Sequence, residues 1–387
     1  MIKVRTRIII LLPVLFTSFI LSGCWDTNEP ERMVYVQGIG IDFKDQKYTV
    51  YAQIVNTSTT AKTEAMGGPT PTKLVVGHAT GNTINQAMFN LYSSSQRRLF
   101  WGHLSFIVLT EKALKQKNIQ AVIDQFDRYR ETRYSIHFYV TRDPLTEVLR
   151  SLPPLEMSTY LSRLGDPQAA YEQRSVIRPL NLRELLIALN EPPPHEAVIP
   201  YIRLTKGTWE METKPVRIIE FSGAALLTKD DLLESIPLKK FRGLRWTNND
   251  LKREEITLTN NLSPISLVVT KLKIKKKSLI HAKTIRFHIT VDVTTTLSEI
   301  KRPEQLPKIK QEAEKLLSAE IKDTYLRGLQ HNTDILRLSE VVYRKNLKAW
   351  KEVERNGKVP LTADSLKKIT VNVKIIHGEK QKMKPTL

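Results

Sequence analysis

Apolar residues recur along this chain at two spacings, every second position in some stretches and every third or fourth in others, and the two kinds of stretch alternate. Tyr48, Val50, Ala52 and Ile54 interleave with Thr49, Tyr51, Gln53 and Val55. Successive strand side chains point to opposite faces, so this is a half-buried strand. With Met33 to Asp42 before it and a polar turn at Phe43 to Gln46, it predicts a hairpin. Further strands are predicted at 74–79, 104–110, 135–141 and 197–204. Between them Ile119, Val122, Ile123 and Phe126 fall on one helical stripe behind Asn118 as its cap. Helices are also predicted at 83–92, after Asp143-Pro144 with the Asp143 carboxylate as cap, and behind an Asn181/Glu184 capping-box pair. Thr57 to Lys73, rich in Thr and Ser around Gly67-Gly68-Pro69, reads as an exposed loop.

The second half carries strand patterns at 216–228, 255–259, 265–274 and 284–296, which suggest an antiparallel sheet. A long helix is predicted from about Pro303 to Gln330, with Ile309, Ala313, Leu316, Leu317, Ile321 and Tyr325 along one side. A further helix carries Leu338, Val341 and Val342, Trp350 reads as a core aromatic, and Lys368 to Ile376 closes the chain as a strand. The fold class is α+β, with mixed and antiparallel sheets packed with helices in two to three domains. The polar stretch 205–214 is the expected linker between an N-terminal region (24–204, with a possible split near 151 at Pro153-Pro154) and a C-terminal domain (215–387).

Residues 1–23 break both spacings. Lys3, Arg5 and Arg7 precede an apolar run of 14 residues, Ile8 to Leu21, interrupted by Pro13, and then Ser22-Gly23 and Cys24. A bilayer span needs about 20 apolar residues, so the run is short for a transmembrane helix and fits a signal peptide. Cleavage between Gly23 and Cys24 would expose the one cysteine of the chain to diacylglyceryl modification. Two acyl chains give a durable anchor where one is marginal. Once Cys24 carries lipid, the chain has no thiol left for a disulfide, a nucleophile or a metal.

The apolar fraction of 41% and only 15 glycines fit a globular protein with real cores. The formal charge of +20 points to an anionic partner. Behind a signal peptide that partner is a membrane surface, and nucleic acid is disfavoured. Lys271, Lys273 and Lys275 share one face of a strand with Leu272 and Ile274 on the other. The lysines suit an edge strand protected from aggregation, or a membrane-facing patch.

No catalytic constellation emerges. The eight histidines show no i, i+4 pair, and His195-Glu196 has Ile199 where a zinc-protease motif needs its second histidine. Gly38 and Gly40 follow a strand pattern without a following helix, so they serve backbone geometry. Arg97, Arg98, Trp101 and His103 form a candidate interface or anion-binding cluster, extended by Arg128, Arg130 and Arg133. Asp124, Arg128 and Glu131 have spacings that meet on a helix surface.

Taken in order behind Gly23-Cys24-Trp25-Asp26, the stretches Gly38-Ile39-Gly40-Ile41-Asp42, Arg97 to His103, Ile119 to Arg133, and Gly223-Ala224-Ala225-Leu226 with Gly243-Leu244 resemble the Ger(x)C family. These are lipoprotein C subunits of spore nutrient germinant receptors. The resemblance implies a non-enzymatic subunit with no cofactor beyond the diacylglyceryl lipid on Cys24. It also implies tethering to the outer face of the inner spore membrane, beside two integral membrane subunits that include the nutrient pocket. An extracytoplasmic solute-binding lipoprotein is the competing reading, and an envelope hydrolase a weaker one.

Overall fold

Val36 to Ile41 are buried without alternation, which a strand tolerates only when both of its faces are covered and a neighbour lies on each side. The computed structural model describes residues 32–55, 74–115, 118–151, 159–205, 207–211, 213–260, 263–281, 284–301 and 304–376, and it places this segment inside a large mixed sheet. Strand β1 (Met33–Lys44) turns at Asp45 and Gln46, both with positive φ, into antiparallel β2 (Lys47–Val55). Two left-handed central residues suit the twist of a two-residue hairpin. Then come β3 (Leu74–Gly81), α1 (Ile84–Tyr92), β4 (Arg98–Phe100), β5 (Phe106–Thr110), α2 (Glu111–Leu114), α3 (Asn118–Arg128), β6 (His137–Thr141) and α4 (Leu145–Arg150). Next are α5 (Pro167–Gln173), α6 (Leu182–Asn190) and β7 (Ala197–Thr205).

In β5, Ile107 and Leu109 enter the core beneath α1, α3 and α6, whereas Phe106 and Val108 enter a second core with Leu145, Leu149, Leu164 and Ile202. Both faces of the sheet are therefore apolar and covered. Gly38 is explained by that packing. A Cβ there would stand 2.2 Å from the Phe106 ring, so close approach, and not positive φ, requires glycine.

The stretch 205–214 does not end this sheet. After the short ribbon β8 (Glu210–Met211) and β9 (Lys214–Pro215), β10 (Ile218–Leu227) returns antiparallel to β7, and β11 (Leu232–Pro237) pairs with β10. The sheet order is β11-β10-β7-β6-β5-β1-β2-β3, with β4 paired to β1. The expected linker is thus the far end of a hairpin that carries the sheet across it.

The second body begins with α7 (Arg242–Arg245) and continues with β12 (Glu254–Asn260), β13 (Ser263–His281), β14 (Thr284–Ile300), α8 (Leu306–Gln330), α9 (Leu338–Lys345), α10 (Leu347–Val353) and β15 (Leu366–Ile376). Its sheet runs β12-β13-β14-β15. The last strand lies parallel to β14, so this sheet is mixed and not wholly antiparallel. The helices between β14 and β15 return the chain to the starting end of the sheet, which a tight turn cannot do. Ile309, Ala313, Leu317 and Ile321 of α8 pack on Phe287, Ile289, Val291 and Val293.

Two local expectations change, and a third resolves to one of its two alternatives. Helix α4 begins behind Pro144 with no side-chain cap; the Asp143 carboxylate instead accepts from the Leu204 N–H at 2.6 Å and ties the helix to β7. Arg130 and Arg133 lie beyond the end of α3, so they continue the chain and not the helical face. Beyond residue 269, β13 pairs with β14 alone, making its lysine-bearing half an edge, as one of the two readings required. Lys276 is on the inner face there. Its side chain donates to the Leu336 carbonyl at 2.6 Å. The loop expected at 57–73, the Pro153-Pro154 interruption and residues 1–24 fall outside the described residues.

Gly243 packs α7 against α8, and a Cβ there would sit 2.2 Å from the Glu320 carbonyl oxygen. Gly243→Ala should therefore lose about 1–3 kcal/mol by overpacking backbone against backbone. A lower urea midpoint with an unchanged slope would show it; an unchanged midpoint would mean that the two helices separate freely.

Candidate functional site

The candidate cluster separates into an anchor and a surface. Trp101 is 2% exposed. Its indole N–H donates to the Tyr92 hydroxyl at 2.8 Å and its backbone N–H donates to Glu131 at 3.1 Å. Glu131 also lies 3.8 Å from Arg98. Trp101 is therefore a core residue that fixes the loop after β4, and it offers no ring to a partner. Its carboxylate partner, Glu131, joins that loop and does not pair with Arg128, as the helical spacing had suggested. Arg128 meets Asp124 at 3.6 Å, as the four-residue half of that spacing predicts.

Around this anchor Arg97, Arg98, His103, Arg128, Arg130 and Arg133 are all exposed. The His103 ring lies tilted against Tyr35, 4.7 Å between centroids, and Phe89 stands 61% exposed at one margin. A shallow groove of about 320 Å³ between α1 and α3, edged by Asp124 and Arg128, adjoins the surface. Exposed arginines beside exposed aromatics are a composition that protein interfaces favour. Among the described residues no group of three or more His, Cys, Asp or Glu side chains could hold a metal ion.

A second region escaped the sequence reading because its partners are far apart in the chain. The two bodies meet along a polar seam. Glu254, at the start of β12 and 2% exposed, takes Arg245 at 3.1 Å and Arg174 at 3.4 Å. Arg178 bridges Glu184 at 2.6 Å and Asp250 at 3.0 Å. The Ser175 hydroxyl accepts from the backbone N–H groups of Lys252 and Arg253, and Lys358 pairs with buried Glu196. Only the spacing of Asn181 and Glu184 gave a signal here. Their capping box forms, and the same Glu184 then serves the seam.

Two family models match the chain: the spore germination protein N-terminal domain over residues 26–204, and the spore germination B3/GerAC-like C-terminal domain over residues 222–379. The chain belongs to this family. The second model begins inside β10, within the first sheet. The chain is similar to spore germination protein KC of Bacillus subtilis (strain 168), with 27% identity over 365 residues and 88% of each chain covered. It is also similar to spore germination protein B3 of the same organism, with 24% identity over 356 residues, covering 88% of this chain and 90% of that one. Among solved structures, the crystal structure of the GerBC protein matches with a TM-score of 0.51 and 19% identity, over 88% of this chain and 97% of the other. The Ger(x)C resemblance and the α+β fold are both shown by these matches.

Two outcomes follow from the seam. Arg245→Met should cost roughly 3 kcal/mol, because it strips a guanidinium from a buried carboxylate, and adding Glu254→Leu should recover part of the loss. Urea denaturation of both variants measures this; a double variant no more stable than the single one would mean that Glu254 is not stranded. The second outcome concerns Lys276. Burial lowers its ammonium from 10.5 to about 8, against the opposing pull of Asp334, with Arg337 lowering it further and Glu340 raising it. Between those values the unfolded chain binds a proton that the folded chain lacks, so this contribution to stability grows as pH rises through the window. Stability measured for wild type and Lys276→Met from pH about 8 to about 10 should diverge in favour of the wild type. A constant difference would mean that the ammonium is solvated.

Proposed function

We propose that the chain is a lipid-tethered, non-enzymatic subunit of a spore germinant receptor. It would stand on the outer face of the inner spore membrane and support assembly and signal coupling with two integral membrane subunits. The observation that carries this reading is the position of the family match, which begins at residue 26, directly behind Cys24 and its Leu21-Ser22-Gly23 lead. The folded family domain would then start where the diacylglyceryl group ends. Among the described residues no helix is long and apolar enough to cross a membrane. Attachment through Cys24 supplies the anchorage that such a subunit needs.

Charge supports the same orientation. On the outer face of the second sheet Lys271, Lys273, Lys275 and Lys277 of β13 are exposed, with Arg286 of β14 and Lys368 and Lys374 of β15. Register sets these in rows: Lys271 opposes Thr294, which opposes Lys374, and Lys277 opposes His288, which opposes Lys368. A face of this kind, mainly basic with Asp292 opposite Lys273, matches anionic headgroups, at about 1 kcal/mol for each basic residue near the surface. The exposed arginines around Trp101 form the surface offered to the membrane subunits.

Replacing Cys24 with Ala should move the protein from the membrane fraction to the soluble fraction and stop germination through its receptor, with the soluble fold unchanged by circular dichroism. Weak residual binding to anionic vesicles should disappear at high salt. A Cys24→Ala protein that remained tightly membrane-bound and active would overturn the tether.

A further inference from the structure

Between the two bodies, behind the seam, lies a cavity of about 340 Å³. That lies within the ~300–1,000 Å³ of small-molecule sites, which favour domain interfaces. Its walls come from both bodies. Ile177, Ile187 and Glu196 belong to the first, and Lys276, Leu336 and Arg337 to the second.

The polar groups are incompletely paired by the protein. Glu196 is 5% exposed; Lys358 takes its Oε1, while Oε2 is buried with no hydrogen-bond partner. Arg337 gives Nη2 to Glu340 at 2.8 Å, but its Nε is buried without an acceptor. Arg337 is also held at φ 54°, in the left-handed region that a long side chain rarely occupies. The Lys276 ammonium has three donors, and the Leu336 carbonyl takes one at 2.6 Å. A buried acceptor and buried donors thus line one cavity, each needing a partner of opposite kind.

The charges around it limit what can enter. Lys276 and Arg337 face Glu196 and Asp334 across it, Lys358 and Glu340 pair with Glu196 and Arg337 at its margin, and the other charges on its wall, Arg178 and Arg245, are neutralised by Glu184 and Glu254. His195, between Glu196 and Arg337, is pushed towards its neutral form by burial and by the Arg337 charge. Cations and carboxylates are matched, so a bound ion of either sign would leave an uncompensated charge out of water, at a cost of several kcal/mol. A molecule carrying both signs would not.

We infer that this cavity binds a small zwitterion, with its ammonium on Glu196 Oε2, its carboxylate on Lys276 and Arg337 Nε, and an aliphatic body against Ile177, Ile187 and Leu336. Because the donors and the acceptor come from different bodies, the bound molecule bridges the two. The inference does not rest on the lipid tether or on the receptor assignment, since it uses the cavity of the chain alone.

The test uses the full chain in detergent, with calorimetric titration and thermal melting. The probes are L-leucine, leucinamide, which lacks the carboxylate, and 4-methylpentanoate, which lacks the ammonium, with glycine and L-valine to vary the aliphatic body. At least one of the three zwitterions should bind saturably and raise the melting temperature. Leucinamide and 4-methylpentanoate should each bind roughly tenfold or more weakly than L-leucine, as loss of a charged hydrogen bond requires. Glu196→Gln and Lys276→Met should weaken the best zwitterion by a similar factor. The analogue comparison needs no substitution and so stands if either variant fails to fold. No binding by any zwitterion up to millimolar concentration, or binding of either truncated analogue as tight as that of L-leucine, would overturn the inference.

Discussion

Strand β10 belongs to one sheet yet packs against the cores of both bodies, and the arrangement of the molecule depends on that double membership. Its hydrogen bonds go to β7 and β11 of the large sheet. Ala225 and Leu227 face the core beneath α1, α3 and α6, whereas Leu226 faces the core of the second body with Ile236, Trp246 and the α8 residues. A strand alternates its side chains by necessity, so burying both faces of β10 obliges the two bodies to lie on either side of it. This explains why the polar stretch before β10 does not loosen the joint. Apolar burial on both sides of one strand outweighs the flexibility of the loop that leads into it.

Once β10 sets the approach of the two bodies, the polar seam sets their register. Paired buried charges add little net stability compared with apolar groups of the same shape, but unpaired ones are costly. Buried Glu254 between Arg174 and Arg245 therefore penalises a misaligned docking more than it rewards the aligned one, whereas the more exposed Arg178, Glu184 and Asp250 add little. The cavity lies in this seam. Its unsatisfied Glu196 and Arg337 atoms lie where the pairing is incomplete. The signal coupling proposed above would need a joint that is specified but can still be biased, and a polar interface with an open charged pocket has both properties.

The local elements were legible because their causes are local. The hairpin at 33–55, the stripe of α3, the Asn181/Glu184 capping box and the apolar side of α8 all follow from side-chain spacing within a few residues. The family resemblance was legible in the order of short motifs, several of which prove to be packing constraints. Gly38 admits the Phe106 ring, and Gly243 admits the α8 backbone. The candidate surface was legible in part. The spacing identified the exposed arginines but could not show that Trp101 is buried as their anchor.

Sequence alone determined the strongly periodic strands and helices, the basic character of the chain and its family, because periodicity, charge and motif order are properties of neighbouring residues. Only the tertiary structure decided that β10 and β11 complete the first sheet, that β15 runs parallel, and that Lys276 turns inward to a cavity with Glu196 and Arg337. Those outcomes depend on which distant segments share a face. That choice is made by the burial of apolar area and the pairing of charges across separations of up to 162 residues, as between Glu196 and Lys358, where local spacing carries no information.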